Sequence, residues 1–186
     1  MKVINLHQDE KDIIRLAAEN NRHAQHQIYN QFSPKMLSVC RKYVKDIHQA
    51  EDIMITAFMK VFSNLRNFEH KGSFEGWIRR IMVNESISFL RVQKKVSFLE
   101  DTYYKEDSFN NIESNFSVED IQSLIDGLPD GYRMIFNLYA IEGYKHKEIA
   151  TMLNINEGTS KSQLSHARKM LQEKINKLKN YSNGTE

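Results

Sequence analysis

Between Ile13 and Leu171 the apolar residues recur at intervals of three and four, with one interruption, from Val96 to Ser117. That spacing fits the turn of an α-helix and not the two-residue alternation of a half-buried strand. Only 2 prolines and 7 glycines stand among 186 residues, too few for a strand-rich fold with frequent turns. The chain is therefore expected to be all-α. A hydrophobic share of 40% beside 27% charged residues suits a folded protein with one sizeable core or two small ones.

The first helix is expected to carry Ile13, Ile14, Leu16 and Ala17, and the second Ala24, Ile28 and Phe32. Ser33-Pro34 reads as an N-cap followed by proline at the first position of a third helix, which runs through Met36, Leu37, Cys40, Tyr43 and Val44 to about Asp46. In the helix from about His48 to Leu65, Ala50, Met54, Ala57, Val61 and Leu65 already complete a buried stripe, leaving Ile53, Ile55, Met59 and Phe62 over. A small domain cannot cover so wide an apolar circumference, so some of these residues should meet a partner.

Gly72 to Gly76 reads as a short flexible element before a helix from Trp77 to about Val92, with Trp77 and Phe74 as core anchors. On that helix Arg80, Asn84, Ser88 and Arg91 make one stripe, and Ile78, Ile81, Glu85, Phe89 and Val92 another. Arg79, Lys94 and Lys95 add cations. A polar, cationic stripe beside aromatic rings suits separated nucleic-acid strands, since cations follow phosphates while unpaired bases find pockets or stacking surfaces.

Where the periodicity fails, Glu100, Asp101, Glu106, Asp107 and Glu113 face only Lys105, the mark of an acidic linker. It returns with Val118, Ile121, Leu124, Ile125 and Leu128. Pro129-Asp130-Gly131 then precedes a helix holding Met134, Ile135, Leu138 and Tyr139. From Lys147 to Arg168 the pattern is two helices with a tight turn: Ile149 and Leu153 on one face of the first, Ala150 for close crossing, and Asn154 at the turn, where a left-handed residue is needed. Asn156 can cap the second helix, whose buried stripe is Leu164, Ala167 and Leu171. Lys161, Ser162, Gln163, Ser165, His166 and Arg168 are then the outward side chains, cationic or short and polar, as a helix entering the major groove requires.

A formal net charge of +2 does not by itself argue for a nucleic-acid partner; the distribution of charge carries that case. The single cysteine, Cys40, lacks a second thiol for a disulfide or zinc site and reads as a core residue. No stretch reaches membrane-spanning length, so no membrane insertion and a cytoplasmic place are expected. His23 and His26 have no carboxylate or thiol companions, so neither an enzyme, a metal, a cofactor nor a small-molecule substrate is indicated.

These blocks, in this order, resemble the sigma-70 family of RNA polymerase sigma factors and its extracytoplasmic-function (ECF) members. The matching stretches are Tyr29 to Met36, Ala50 to Ile53 with Phe58 to Phe62, Gly72 to Asn84, Leu128-Pro129 with Tyr132-Arg133, and Glu142 to Arg168. The wording of Gly72 to Asn84 and of Glu157 to Leu164 looks like versions from Bacteroidetes-type bacteria. The resemblance implies sigma domain 2 over 1–95, an acidic linker over 96–116, sigma domain 4 over 117–180 and a tail over 181–186. It implies binding to core RNA polymerase through Asp52, Ile55, Met59 and Phe62, and to the minus-10 promoter element through Arg79, Arg80, Asn84, Ser88 and Arg91, with melting. Thr159, Lys161, Ser162, Gln163, Ser165, His166 and Arg168 would meet the minus-35 element, and family habit implies an anti-sigma factor. Ile55-Thr56 stands where many relatives carry Gln-Glu, and His166 where arginine is frequent. The competing function is a stand-alone helix-turn-helix regulator of duplex DNA, which explains the residues after Ser117 but not the surplus apolar face.

Overall fold

Helix after helix in the computed structural model begins at a short polar side chain that accepts a backbone N–H, as orphan donors at a helix start demand. Asn21 accepts from Ala24 (3.0 Å), Asp46 from Gln49 (2.8 Å), Ser73 from Gly76 (3.1 Å), Ser117 from Asp120 (3.1 Å) and Asn156 from Thr159 (2.7 Å). Residues 6–93 and 117–182 are described, and all regular structure among them is helical. The chain divides into two units, one ending at Val92 and the other beginning at Gln93.

The first unit contains α1 (Leu6–Ala18), α2 (Arg22–Tyr43), α3 (Ile47–Asn64), a 3-10 turn (Leu65–Asn67) and α4 (Phe74–Val92). The expected break at Ser33-Pro34 is absent: α2 is one continuous helix with Pro34 inside it. An interior proline costs about 3 kcal/mol. Against that cost stands a buried stripe, Ile28, Phe32, Met36, Val39, Cys40 and Tyr43, that runs straight through the site at spacings of three and four. A break would take half of it out of register. Helices α2, α3 and α4 pack on one another and α1 lies against α2.

Two further corrections concern faces. Ile53 and Phe58 are buried alongside Ala50, Met54, Ala57, Val61 and Leu65, because α3 packs against α1, α2 and α4 and so hides a broad arc. On α4 the buried stripe is Ile78, Met82, Val83, Ser86, Ile87 and Leu90, whereas Ile81, Glu85 and Phe89 are half-buried and Val92 is 83% exposed. Helix α4 starts at Phe74, three residues before the expected Trp77, because Ser73 caps it. Gly72, at φ 91°, makes the left-handed step into that cap, and His70, at φ 56°, lays its ring on Phe68 with centroids 4.7 Å apart.

The second unit contains α5 (Val118–Asp126), α6 (Asp130–Phe136), a π-helical turn (Asn137–Ile141), α7 (His146–Leu153) and α8 (Glu157–Ser182). Ser117 and Asp120 form a reciprocal capping box at the start of α5. Leu128, Met134, Ile135, Leu138, Ile149, Leu153, Leu164 and Ala167 are buried as the core. Arg133 is buried with them, donating to the Asp130 carboxylate (2.7 Å) and to the Leu128 carbonyl (3.3 Å). Asn154 adopts the left-handed conformation (φ 55°, ψ 49°) that ends α7 and turns the chain into α8. The acidic segment 96–116, Lys94, Lys95 and residues 183–186 lie outside the described residues.

Cys40 is fully buried with its Sγ 4.0 Å from the Met82 sulfur, and burial pushes its thiol up to about 11. Since the thiolate is the reactive form, native protein at pH 8 should resist a thiol reagent and react fully once denatured, as a timed absorbance assay would record.

Candidate functional site

On α3 the residues Asp52, Ile55, Met59 and Phe62, at spacings of three, four and three, share one face. Asp52 is exposed, Ile55 is 50% and Met59 67% exposed, and Phe62 is half-buried. The Phe62 ring stacks at 5.9 Å on that of Phe58, which is buried and meets Tyr29 at 4.9 Å. The stripe is thus apolar side chains on a rigid aromatic backing. Covering it would yield about 25 cal/mol for each Å² of apolar surface removed from water.

The polar stripe of α4 is also real as a surface: Arg80, Asn84, Ser88 and Arg91 are all exposed. Beside it lies a groove of about 380 Å³, between α3 and α4, lined among others by Lys60, Asn64, Asn67, Trp77 and Asn84. Trp77 is half-buried, not a full core anchor. One side of it belongs to an aromatic cluster, with Phe74 at 5.9 Å and Phe68 at 5.4 Å, and the ring also lines the groove. The amide groups are positioned, since Asn64 donates to the Lys60 carbonyl (2.8 Å) and Asn67 to Asn64 Oδ1 (3.2 Å). Lys60 pairs with Glu85 across the seam. Arg79 is half-buried and points elsewhere, lining a second groove of about 400 Å³ with Lys35, Ser38 and Lys42. A flat ring, three amides and nearby cations are the donor set for an unpaired base and its phosphates. Lys60, Asn64 and Asn67 escaped the sequence argument because they join Asn84 only through the packing of α3 on α4.

The second unit corrects the assignment of α8. Ser162 and Gln163, expected to point outward, are each 1% exposed, and Thr159 is buried too. Gln163 follows Ser160 by three and precedes Ala167 by four, so it lies on the same packed stripe as those two fully buried residues. Thr159 turns its hydroxyl onto Asn156 Oδ1 (2.9 Å), and Ser162 donates to the Thr159 carbonyl (3.1 Å). Lys161, Ser165, His166 and Arg168 are partly accessible. Two of them rest on rings: His166 stacks on Tyr132 at 5.7 Å, and the Arg168 guanidinium lies 5.5 Å from the Tyr139 centroid. Lys161 pairs with Glu157 at 2.8 Å. The contacts of Tyr132 and Tyr139 with α8 had no signal in the spacing, because the rings come from α6 and the π turn.

Two family models match the chain, Sigma-70 region 2 over residues 28–96 and Sigma-70, region 4 over residues 118–171. The RNA polymerase sigma factor SigZ of Bacillus subtilis is 30% identical over 149 residues, 78% of this chain and 84% of that protein. The chain belongs to the sigma-70 family. Within it the likeness is to ECF members: the ECF RNA polymerase sigma factor SigM of Bacillus subtilis is 26% identical over 155 residues, 81% of this chain and 94% of that one. The sigma factor RpoE of Bartonella quintana, solved in complex with the anti-sigma factor NepR, shares the fold at a TM-score of 0.53 and 21% identity, over 81% of this chain and 96% of that one. The chain is thus a sigma-type transcription initiation factor, and the first unit holds the region 2 match except for its end, residues 93–96, while the second holds the region 4 match. None of this likeness is specific to Bacteroidetes-type bacteria. Among the described residues no helix is long and apolar enough to cross a membrane.

The exposure of Met59 separates it from its buried neighbour Val61. Met59→Glu should change unfolding free energy by no more than about 0.5 kcal/mol, whereas Val61→Asp buries a charge and should cost several-fold more. Urea titrations of the two variants compare them directly.

Proposed function

We propose that this sigma factor binds core RNA polymerase, directs it to a restricted set of promoters and assists their melting. The observation that carries the proposal is the pairing, on one small unit, of an uncovered apolar stripe with a groove fit for an unpaired base. Asp52, Ile55, Met59 and Phe62 dock on the polymerase. Arg80, Asn84, Ser88 and Arg91, with Trp77 and the groove, take the minus-10 strand, and Arg79 serves its backbone from the neighbouring groove. In the second unit Lys161, Ser165, His166 and Arg168 meet the minus-35 element. Thr159, Ser162 and Gln163 hold the recognition helix in place instead of reading bases. In this reading residues 1–95 act as domain 2, 96–116 as the linker and 117–180 as domain 4.

The work is cytoplasmic, where promoters and polymerase are, and family membership supports an anti-sigma factor as a further partner. A Bacteroidetes-type origin is inferred from the wording of residues 72–84 and 157–164 alone.

Purified protein added to core polymerase should start transcripts at few sites, mapped by 5′-end sequencing. Tight operator binding without polymerase, and no transcript with it, would instead make the chain a stand-alone regulator. Met59→Glu should weaken core binding at least about tenfold, the loss of about 1.4 kcal/mol expected when a charge enters an apolar contact. In permanganate footprints, Arg80→Ala with Asn84→Ala should lower thymine reactivity while recruitment persists. Unchanged reactivity would place the strand on another face.

Within α8, Lys161→Ala should lower affinity for all sequences alike and reduce the salt slope. His166→Ala should cost about 1–3 kcal/mol at one base position. A promoter-library selection distinguishes the two. Equal losses on every sequence would limit the helix to phosphate positioning.

A further inference from the structure

Beside the recognition helix sits an imidazole that the proposed function does not use. His146, the first residue of α7, is half-buried, stacks on Tyr139 with centroids 4.5 Å apart, and has its Nδ1 2.9 Å from the Ser160 hydroxyl. Arg168 lies over the same tyrosine ring. The charged groups that act on His146 are Lys161, Arg168 and Glu157 on α8, with Lys147 beside it on α7. Tyr139 is the titratable group presented by the π turn. Glu157, the acid among them, is paired with Lys161.

We propose that His146, with Arg168 on the same Tyr139 ring and Lys161 acting on it from α8, is a phosphate contact for duplex DNA that takes up one proton from solvent as the duplex binds. The proposal rests on the duplex-binding role given above to the second unit. In the free protein, burial first and then the Lys161 charge, with Arg168 adding to them and Glu157 opposing, lower the proton affinity of the imidazole and favour its neutral form. A phosphate drawn to Lys161 and Arg168 reverses the field at the ring and favours the charged form. Because Nδ1 is engaged with Ser160, the proton enters at Nε2. With the neutral ring carrying its hydrogen on Nδ1, the Ser160 hydroxyl accepts from it before and after uptake, so protonation at Nε2 displaces nothing. The imidazolium then shares the Tyr139 ring with the guanidinium as a second cation against its face.

The linkage sign is definite. A group that gains a proton on binding makes affinity rise as pH falls, by at most about tenfold per pH unit for one proton. The full-length chain and its His146→Gln variant, which retains a hydrogen-bonding side chain but cannot charge, would be titrated with a labelled duplex of mixed sequence at constant low salt from pH 8 to pH 6. Wild-type affinity should rise about threefold or more beyond any rise in the variant, with circular dichroism confirming that both stay folded. Independently of the variant, the wild-type binding enthalpy at pH 7 should vary with the ionisation heat of the buffer, in proportion to the proton taken up. Equal pH dependence in two folded proteins, or a buffer-independent enthalpy, would overturn the proposal alone. No duplex binding by the wild type at any pH would overturn the reading beneath it as well.

Discussion

The seam between α3 and α4 is the contact on which the first unit depends. Val61 of α3 and Ile78 and Met82 of α4 are fully buried where the two helices pack on each other within the unit, and Ala50 and Ala57 are small, fully buried residues of α3. Each large buried side chain there contributes on the order of 1.5–3 kcal/mol. The Lys60–Glu85 pair at the edge of the seam is half open to water, so its part is to fix the flank of the groove more than to stabilise the fold. Because Asn64 and Asn84 belong to opposite sides of this seam, the groove exists only when the seam is shut.

In the second unit the equivalent constraint is conformational. Asn154 must hold a left-handed backbone for α7 to end and α8 to begin, and an asparagine does so at less cost than most side chains. The sharp turn brings Ser160 and Gln163 into the packing of α8 while leaving Lys161 and Arg168 partly accessible. Polar character is therefore a poor guide to exposure on this helix. Ser162 satisfies its hydroxyl on the Thr159 carbonyl, and Thr159 donates its own to the exposed Asn156, so both enclosed hydroxyls have an acceptor.

What the sequence could reveal followed from how local each cause is. The helical character, the capping residue Asn156, the left-handed Asn154 and the exposed stripe of Ile55 and Met59 depend on neighbours three or four residues away, and all were legible, whereas Asp46, expected only as a helix end, also caps α3. Pro34 misled because a local propensity of about 3 kcal/mol was outweighed by burial along the whole of α2. Ile53 misled for a related reason: how wide an arc of α3 is hidden depends on how many helices surround it, which spacing alone does not state. The groove and the rings beneath His166 and Arg168 join residues from separate elements, so only the packing reveals them.

The geometry of α3 leaves room for both of the partners proposed for it. At 100° per residue the stripe through Asp52, Ile55, Met59 and Phe62 and the flank carrying Lys60 and Asn64 are centred roughly 140° apart around the helix axis. A protein seated on the first therefore need not obstruct a nucleic-acid strand on the second. The two faces are still mechanically joined, because Phe62 stacks on Phe58, and Phe58 sits in the core that also holds the seam with α4. A close-packed interior transmits displacement instead of absorbing it. On the proposed function, pressure on the apolar stripe would be felt at the width of the groove, and the small unit would couple polymerase docking to strand capture without a hinge.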